Sequence, residues 1–323
     1  MITTPTRRAV LAGLGGAVAC PAVARAAWPD KPITIVHGFP GGNADFLARL
    51  LADGLSRVLG ATFAVEIKPG AGGNIAATSV ARATPDGHTL LLLIGGQAVS
   101  AALYTQLPFK PVDDFTMISL LTEFPFVMAT WPDHPARNAV ELIAQARKAP
   151  EPLLFGTNGN GTGQHMSAEL FAAMGKFKLK HVPYRSSGNS VTDLLGQRID
   201  FVTDTPTILL PLIGDKQLRA LCVTGAKRFF ALPDVPTIAE SGVPGYETGS
   251  WAGFAGPAGL PPGILARLNA AVHQVLADPA TIRKLRDAGS DVVPSTPEAF
   301  KARLESDIAK WTEVVRTAGI QKI

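Results

Sequence analysis

Short β-branched or leucine-rich runs alternate with helical patterns along this chain, and that order constrains its fold more than any other feature. Ile33-Thr34-Ile35-Val36 reads as a short buried strand, and the turn Gly38-Phe39-Pro40-Gly41-Gly42-Asn43 follows it. Phe46, Leu47, Leu50, Leu51, Leu55 and Val58 then recur at helical spacing until Gly60, which predicts a helix over 45–59. A strand over 63–67, the loop Pro69-Gly70-Ala71-Gly72-Gly73-Asn74, a small-residue helix over 75–83 and a strand over 89–94 come next. Such a β-α-β-α-β series buries its strands as a parallel sheet with helices on the faces. A second series begins near residue 138. It comprises a helix (139–148), a strand (153–156), a polar glycine loop (157–163), a helix (164–174), a strand (179–182), a helix (190–196) and a strand (200–203). A helix from Pro206 and a strand-like run over 218–223 complete it. The last quarter reads as helices, with core stripes of Ile264, Leu268 and Val272 and of Phe300, Leu304, Ile308, Trp311 and Val315. Ser295-Thr296-Pro297-Glu298 opens the final one as a capping signature. Two α/β units joined by extended segments imply two lobes, each a mainly parallel sheet flanked by helices.

A length of 323 residues accommodates two ordinary domains, and 46% hydrophobic against 17% charged residues rules out extensive disorder. No long charge-free apolar run occurs beyond the N-terminus, which excludes a polytopic membrane protein. The N-terminus itself reads as an export signal over 1–26. Arg7-Arg8 precede a short, glycine-interrupted apolar stretch, and Ala24-Arg25-Ala26 offers a cleavage site before Ala27. The arginine pair fits a twin-arginine route, although Sec export also uses such residues. The expected location is therefore the periplasm. Cys20 after Ala17-Val18-Ala19 faintly resembles a lipoprotein processing site, which makes lipid anchoring the less favoured alternative. The formal charge of +4 includes Arg7, Arg8 and Arg25, so their removal leaves +1. With no basic cluster besides, nucleic acid is not an expected partner. Cys20 and Cys222 cannot form a disulfide framework or a zinc cluster, and Cys222 reads as buried packing in a strand.

Catalytic motifs are missing. The chain contains no Gly-x-Ser-x-Gly elbow, no His-Glu-x-x-His and no Walker loop. Histidines at 37, 88, 134, 165, 181 and 273 lack ligand spacing, so neither a metal nor a cofactor is expected. Ser186, Ser187 and His181 come nearest to a hydrolase constellation, and nothing in the sequence orients them. What the chain does carry is polar glycine loops at the carboxyl ends of strands, where open α/β sheets bind ligands. Gly41-Gly42-Asn43 and Gly161-Thr162-Gly163 each open a helix, whose amides and dipole favour an anion. If they belong to opposite lobes, they face each other across a cleft. Asp45 is expected to cap its helix, because a carboxylate beside a bound anion would repel it. Thr205-Pro206 already supplies a cap and a first-turn proline, leaving Asp204 to face the cleft and accept from an ammonium or hydroxyl. Tyr184 suits either packing or a ring against the ligand, and Arg185 reads as solvated, a second-carboxylate contact being its alternative.

These residues resemble the Bug receptors, the periplasmic substrate-binding proteins of the tripartite tricarboxylate transporter family. The likeness runs through Trp28-Pro29-Asp30-Lys31-Pro32-Ile33, Gly41-Gly42-Asn43-Ala44-Asp45 and Pro69-Gly70-Ala71-Gly72-Gly73-Asn74. It continues through Thr84-Pro85-Asp86-Gly87-His88-Thr89-Leu90, Asn158-Gly159-Asn160-Gly161-Thr162 with His165, and His181-Val182-Pro183-Tyr184. Leu232-Pro233-Asp234-Val235-Pro236-Thr237 and Gly245-Tyr246 with Trp251 complete it. The resemblance implies a two-lobe, periplasmic-binding-protein-like (Venus flytrap) α/β fold, with 27–128 plus 250–323 as one domain and 129–249 as the other. It implies a solute receptor without catalysis that closes on a small carboxylate. The carboxylate would be delivered to membrane permease subunits of a tripartite tricarboxylate-type transporter, or sensed by a kinase of a two-component system; a secreted hydrolase is the remote alternative, and a monomer is expected. The ligand-binding positions it implies are Phe39, Pro40, Gly41, Gly42 and Asn43 on one lobe and Asn158, Gly161, Thr162, Gly163, Gln164 and His165 on the other. Tyr184, the loop Gly95-Gly96-Gln97 and Asp204 join them, Asp204 toward the ligand's distal part. One departure stands out. Where the family commonly has two prolines before the paired glycines, this chain has His37-Gly38-Phe39-Pro40, so loop shape differs where the ligand enters.

Overall fold

The computed structural model describes residues 28–317 and 319–323. The segment read as an export signal, with Arg7, Arg8, Cys20 and Ala24-Arg25-Ala26, lies outside the described residues. The first elements are β1 (Ile33–His37), α1 (Gly42–Leu59), β2 (Phe63–Ile67), α2 (Asn74–Ala81), β3 (Thr89–Ile94), α3 (Gly96–Leu103) and β4 (Phe115–Phe124). Then come β5 (Val127–Thr130), α4 (Ala139–Lys148), β6 (Leu153–Thr157), α5 (Gly163–Gly175), β7 (Leu179–Pro183) and α6 (Ser187–Leu195). β8 (Phe201–Asp204), α7 (Pro206–Gly214) and β9 (Arg219–Val223) follow. The chain ends with β10 (Ser250–Pro257), α8 (Pro262–Leu276), α9 (Pro279–Asp287), β11 (Asp291–Val292) and α10 (Pro297–Thr317).

Two sheets form, a six-stranded one in the order β11-β4-β10-β3-β1-β2 and a five-stranded one in the order β7-β6-β8-β5-β9. The two-lobe α/β architecture is present, but the sheets are mixed. β1, β2 and β3 pair in parallel, as do β6, β7 and β8, which are the βαβ units visible in the pattern. β10 runs antiparallel to β3 and β4, and β5 runs antiparallel to β8 and β9. The reason is connectivity. β5 and β10 enter their sheets directly from the other lobe, without the helical crossover that a parallel neighbour requires. β10 is buried at every position and consists of Ser-Trp-Ala-Gly-Phe-Ala-Gly-Pro, so it has neither the alternation nor the β-branched bias that marks a strand.

Each sheet is covered on both faces, and strand alternation divides the cores. Leu90 and Leu92 point to the side of α1 and α8, while Leu91 and Leu93 point to the side of α3 and α10. In the second lobe, Met128 faces α4 and α5, and Val127 and Ala129 face α6 and α7. Cys222 is fully buried in β9, and burial pushes its thiol up, as expected of inert packing. The chain passes between lobes at 125–126 and 248–249, and Thr224 joins these segments. Its Oγ1 accepts the Phe126 amide at 2.8 Å and donates to the Thr248 carbonyl at 3.1 Å.

Candidate functional site

Five helices start at the carboxyl ends of strands and aim their first turns at one place. A small cavity of about 30 Å³ there is lined by Gly41, Gly42, Asn43 and Ala44 at the start of α1 and by Gly96 at the start of α3. From the second lobe come Gly163 and Gln164 of α5, Ser187 of α6 and Thr205, the residue that precedes α7. Phe39, Ile94, Phe124, Phe126, Asn158 and Ser250 close the walls. First-turn N–H groups have no acceptor within their own helix, so this cavity collects the positive ends of five backbone dipoles. No charged side chain lines it. The Asn158 Oδ1 and Thr205 Oγ1 on its wall are buried without hydrogen-bond partners, an arrangement that a polar guest would complete.

The local sequence explains how the first lobe's turn is made. Gly41 and Gly42 both hold left-handed φ angles, 71° and 68°, so the chain turns straight from β1 into α1. The helix therefore starts at Gly42, ahead of the predicted 45, and its N-cap is Gly41. This corrects the capping role expected for Asp45. Asp45 lies in the first turn, ion-paired to Arg49 at 3.0 Å, with His37 Nε2 at 3.5 Å. Gly38 is demanded by a close approach, since a Cβ there would stand 2.6 Å from Gly73 Cα.

In the second lobe, the Thr162 side chain caps α5, accepting the His165 amide at 3.3 Å and donating to the Gly159 carbonyl at 3.0 Å. Behind this loop, the His165 and His181 rings stack with centroids 4.0 Å apart, and Phe155 lies against His181 at 4.8 Å. Burial, with His165 nearby, holds His181 down at about 3, so it stays neutral. Its Nε2 is 2.6 Å from Thr157 Oγ1, and neither Ser186 nor Ser187 is hydrogen-bonded to a histidine among the described residues. The hydroxyl in contact with His181 is thus that of Thr157, and neither serine is paired with a histidine base among the described residues.

The structure sorts the sequence-predicted positions. Phe39, Gly41, Gly42, Asn43, Gly96, Asn158, Gly163 and Gln164 are brought together on the small cavity. Gly95-Gly96-Gln97, predicted as a loop, is instead the start of α3, because Gly95 N–H is held by the Trp251 carbonyl of the crossing strand. Gln97 is buried, with its Nε2 unpartnered. Gly161 donates its amide to His165 Nδ1 at 3.2 Å and packs against Leu103 and Tyr104 of the other lobe. Thr162 and His165 therefore shape the loop from behind. Asp204, expected to face the cleft, is fully buried at the end of β8, off the cavity wall. Its Oδ1 accepts the Thr205 amide at 2.7 Å, while its Oδ2, near Ser187 and Gln164, has no hydrogen-bond partner in good geometry. Pro40 and Tyr184 line a second, larger chamber of about 690 Å³ that shares Phe39 and Asn158 with the first. The wall residues Ile94, Phe124, Phe126, Ser187, Thr205 and Ser250 were not predicted, and no sequence signal marks Phe124, Phe126 or Ser250, which sit at the lobe crossings.

A groove of about 490 Å³ lies on the other side of the crossing segments, sharing Phe124 and Ser250 with the small cavity. Ion pairs on its lining include Arg286–Asp291 and Arg303–Asp307, each at 3.1 Å, while Lys227 and Lys310 there have no carboxylate partner among the described residues. Among the described residues no cluster of His, Cys, Asp or Glu could hold a metal ion. No helix among them is long and apolar enough to cross a membrane.

The model of a family described as the tripartite tricarboxylate transporter family receptor matches residues 47–320. The chain is 35% identical over 314 residues to the UPF0065 protein in the tcbD-tcbE intergenic region of Pseudomonas sp. (strain P51), across 96% of this chain and 94% of that protein. Its fold is similar to that of R. palustris Rpa4515 with adipate, at TM-score 0.88 and 35% identity, covering 92% of this chain and 100% of that one. The periplasmic binding protein BugD is similar at TM-score 0.87 and 32% identity, with the same coverage.

Proposed function

Because this chain belongs to the tripartite tricarboxylate transporter receptor family, we propose that it is an exported receptor that captures a small organic carboxylate between its lobes and presents it to a membrane permease. One observation carries this reading. Five helix N-termini, from both lobes, surround a single cavity that has no charged side chain of its own. Neutral dipoles of this kind bind an anion without a counter-charge that must be desolvated when the lobes close. The amides of Gly42, Asn43, Gly96, Gly163 and Gln164 are the groups proposed to hold the carboxylate. The adipate in the similar Rpa4515 structure supports the ligand class. The domains are proposed to divide at the crossings near 125–126 and 248–249, which would act as the hinge. Only a ligand that prefers the closed arrangement can shift such a hinge.

A thermal-shift screen of mono-, di- and tricarboxylates and acidic amino acids tests the proposal. A true ligand at one hundred times its dissociation constant adds about 2.7 kcal/mol of stability. If no carboxylate raises the melting temperature while another class of solute does, the reading fails.

A further inference from the structure

We propose that the end of the second lobe farthest from the cavity docks on an anionic lipid surface through Lys148, Lys176, Lys178 and Lys180. This goes beyond the carboxylate reading and takes from it only that the protein works beside a membrane.

The sheet decides where these residues stand. β6, β7 and β8 are parallel, and residues that follow them, Asn158, Ser187 and Thr205, line the small cavity. The amino ends of the same strands therefore point away from it. Lys148 closes α4 ahead of β6, and Lys176 and Lys178 lie between α5 and β7. Two helix ends are drawn together there, because Arg147 donates from Nη2 and Nε to the Gly175 carbonyl, at 2.6 and 3.2 Å. β7 is an edge strand of its sheet, and Lys180 is exposed on it. Exposure alternates along this stretch. Lys176, Lys178 and Lys180 are exposed, while Phe177 and Leu179 pack against the core.

The charge of this face is unmatched. Ion pairs to lysine among the described residues involve Lys31, Lys68 and Lys301, and none of them reaches it. Glu151 stands between α4 and β6 as the nearest carboxylate in sequence to Lys148. The neighbouring acids are engaged, Glu169 beside His165 at 3.6 Å, Asp193 with Arg198 at 2.7 Å, and Asp200 accepting the Leu154 amide at 2.7 Å. Two ordinary effects account for lysines singly. A cation at a helix C-terminus complements the dipole, as at Lys148 and Lys176, and a lysine on an edge strand deters pairing with another sheet, as at Lys180. Neither explains Lys178, nor the gathering of all four at one end.

The groups beside the lysines favour lipid over an acidic protein. Met174 is 37% exposed in the last turn of α5, and Phe177, edge-on to Phe171 at 4.9 Å, lies between two of the lysines. Apolar groups among flexible point charges suit a headgroup layer, whereas one-to-one recognition of carboxylates selects the arginine fork. Docking by this end leaves the cavity uncovered.

Flotation of the full mature protein with lipid vesicles tests this. At about 50 mM salt it should bind vesicles of equal parts phosphatidylcholine and phosphatidylglycerol at about millimolar lipid, and ignore pure phosphatidylcholine. Binding should vanish near about 500 mM salt. Each lysine near such a surface is expected to strengthen binding about fivefold. Lys176→Gln, Lys178→Gln and Lys180→Gln together should therefore weaken it about a hundredfold, and Lys178→Gln alone about fivefold. Arginine at the same three positions should keep it. The glutamine variants should retain wild-type circular dichroism and carboxylate affinity, because none of these lysines lines the cavity. Wild type that does not float with the anionic vesicles, or glutamine variants that float as wild type does, overturn the proposal. Binding to poly-glutamate without binding to vesicles would give this face to an acidic protein segment and overturn it too. The carboxylate reading is decided separately, by the thermal-shift screen.

Discussion

Asp204 ends β8 with its carboxyl wholly buried, and burial pushes its pKa above the ordinary 3.8 against the pull of its hydrogen bonds. The folded protein therefore holds this proton at pH values where the unfolded chain has lost it. The native state binds more protons in that window, so stability is full below the ordinary carboxylate value and declines as pH rises through the raised one. The slope can reach about 1.4 kcal/mol per pH unit for a single group. Asp204→Asn should remove this decline, as read from urea unfolding measured at successive pH values. Carboxylate affinity should follow the same direction, because an ionised Asp204 behind the cavity opposes an anion inside it. If wild type and Asp204→Asn show parallel pH profiles, Asp204 is ionised in the folded protein and its burial has been misjudged.

The start of α5 shows how a single side chain aims backbone groups. Thr162 Oγ1 accepts from His165 and donates to Gly159, which holds the turn that presents the Gly163 and Gln164 amides. Loss of an N-cap hydroxyl costs about 1 kcal/mol. Thr162→Ala should lower unfolding free energy by about that amount and also weaken carboxylate binding, whereas Thr162→Ser should preserve both. Stability lost with binding intact would mean that the α5 amides do not contact the ligand. The stacked His165 and His181 rings support the same turn from below, with Gly161 N–H donating to His165 Nδ1.

The two lobes touch on both sides of the small cavity. Gly72 meets the Asn160 carbonyl, where a Cβ would stand 3.4 Å away, and Thr207 Oγ1 donates to Asn43 Oδ1 at 2.9 Å. Arg286 of the first lobe lies 4.4 Å over the Phe230 ring of the second. On the hinge proposed above, these contacts would favour the closed arrangement without a ligand's help. Thr207 itself does not line the cavity, although its partner Asn43 does; Thr207→Val removes the hydroxyl that reaches Asn43 Oδ1 and, at 3.1 Å, the Ala288 carbonyl of the first lobe. A neutral hydrogen bond contributes about 0.5–1.5 kcal/mol, so affinity should fall roughly two- to tenfold. Small-angle scattering should show a larger radius of gyration for the ligand-free variant and the wild-type value when ligand saturates it. An unchanged radius and unchanged affinity would show that this bond does not govern closure.

Much of this was legible along the chain, for a definite reason. β1 to β3 and β6 to β8 lie in βαβ units whose signals are local: apolar runs of strand length, helical periodicity and a glycine at each turn. The glycines at 41, 42 and 163 were readable because conformation and helix starts depend on near neighbours. β4, β5, α3 and β10 were not predicted. Their residues are buried on all sides or rich in Gly and Ala, and what makes them strands or helix is the partner beside them. The same distinction holds at the site. Which loops could welcome an anion followed from residue type. That Phe124, Phe126 and Ser250 wall the cavity, that Asp204 is shut behind it and that Arg185 lines the larger chamber depends on how two sheets are placed against each other. Residues far apart along the chain share those walls, and no short-range pattern records their distance in space.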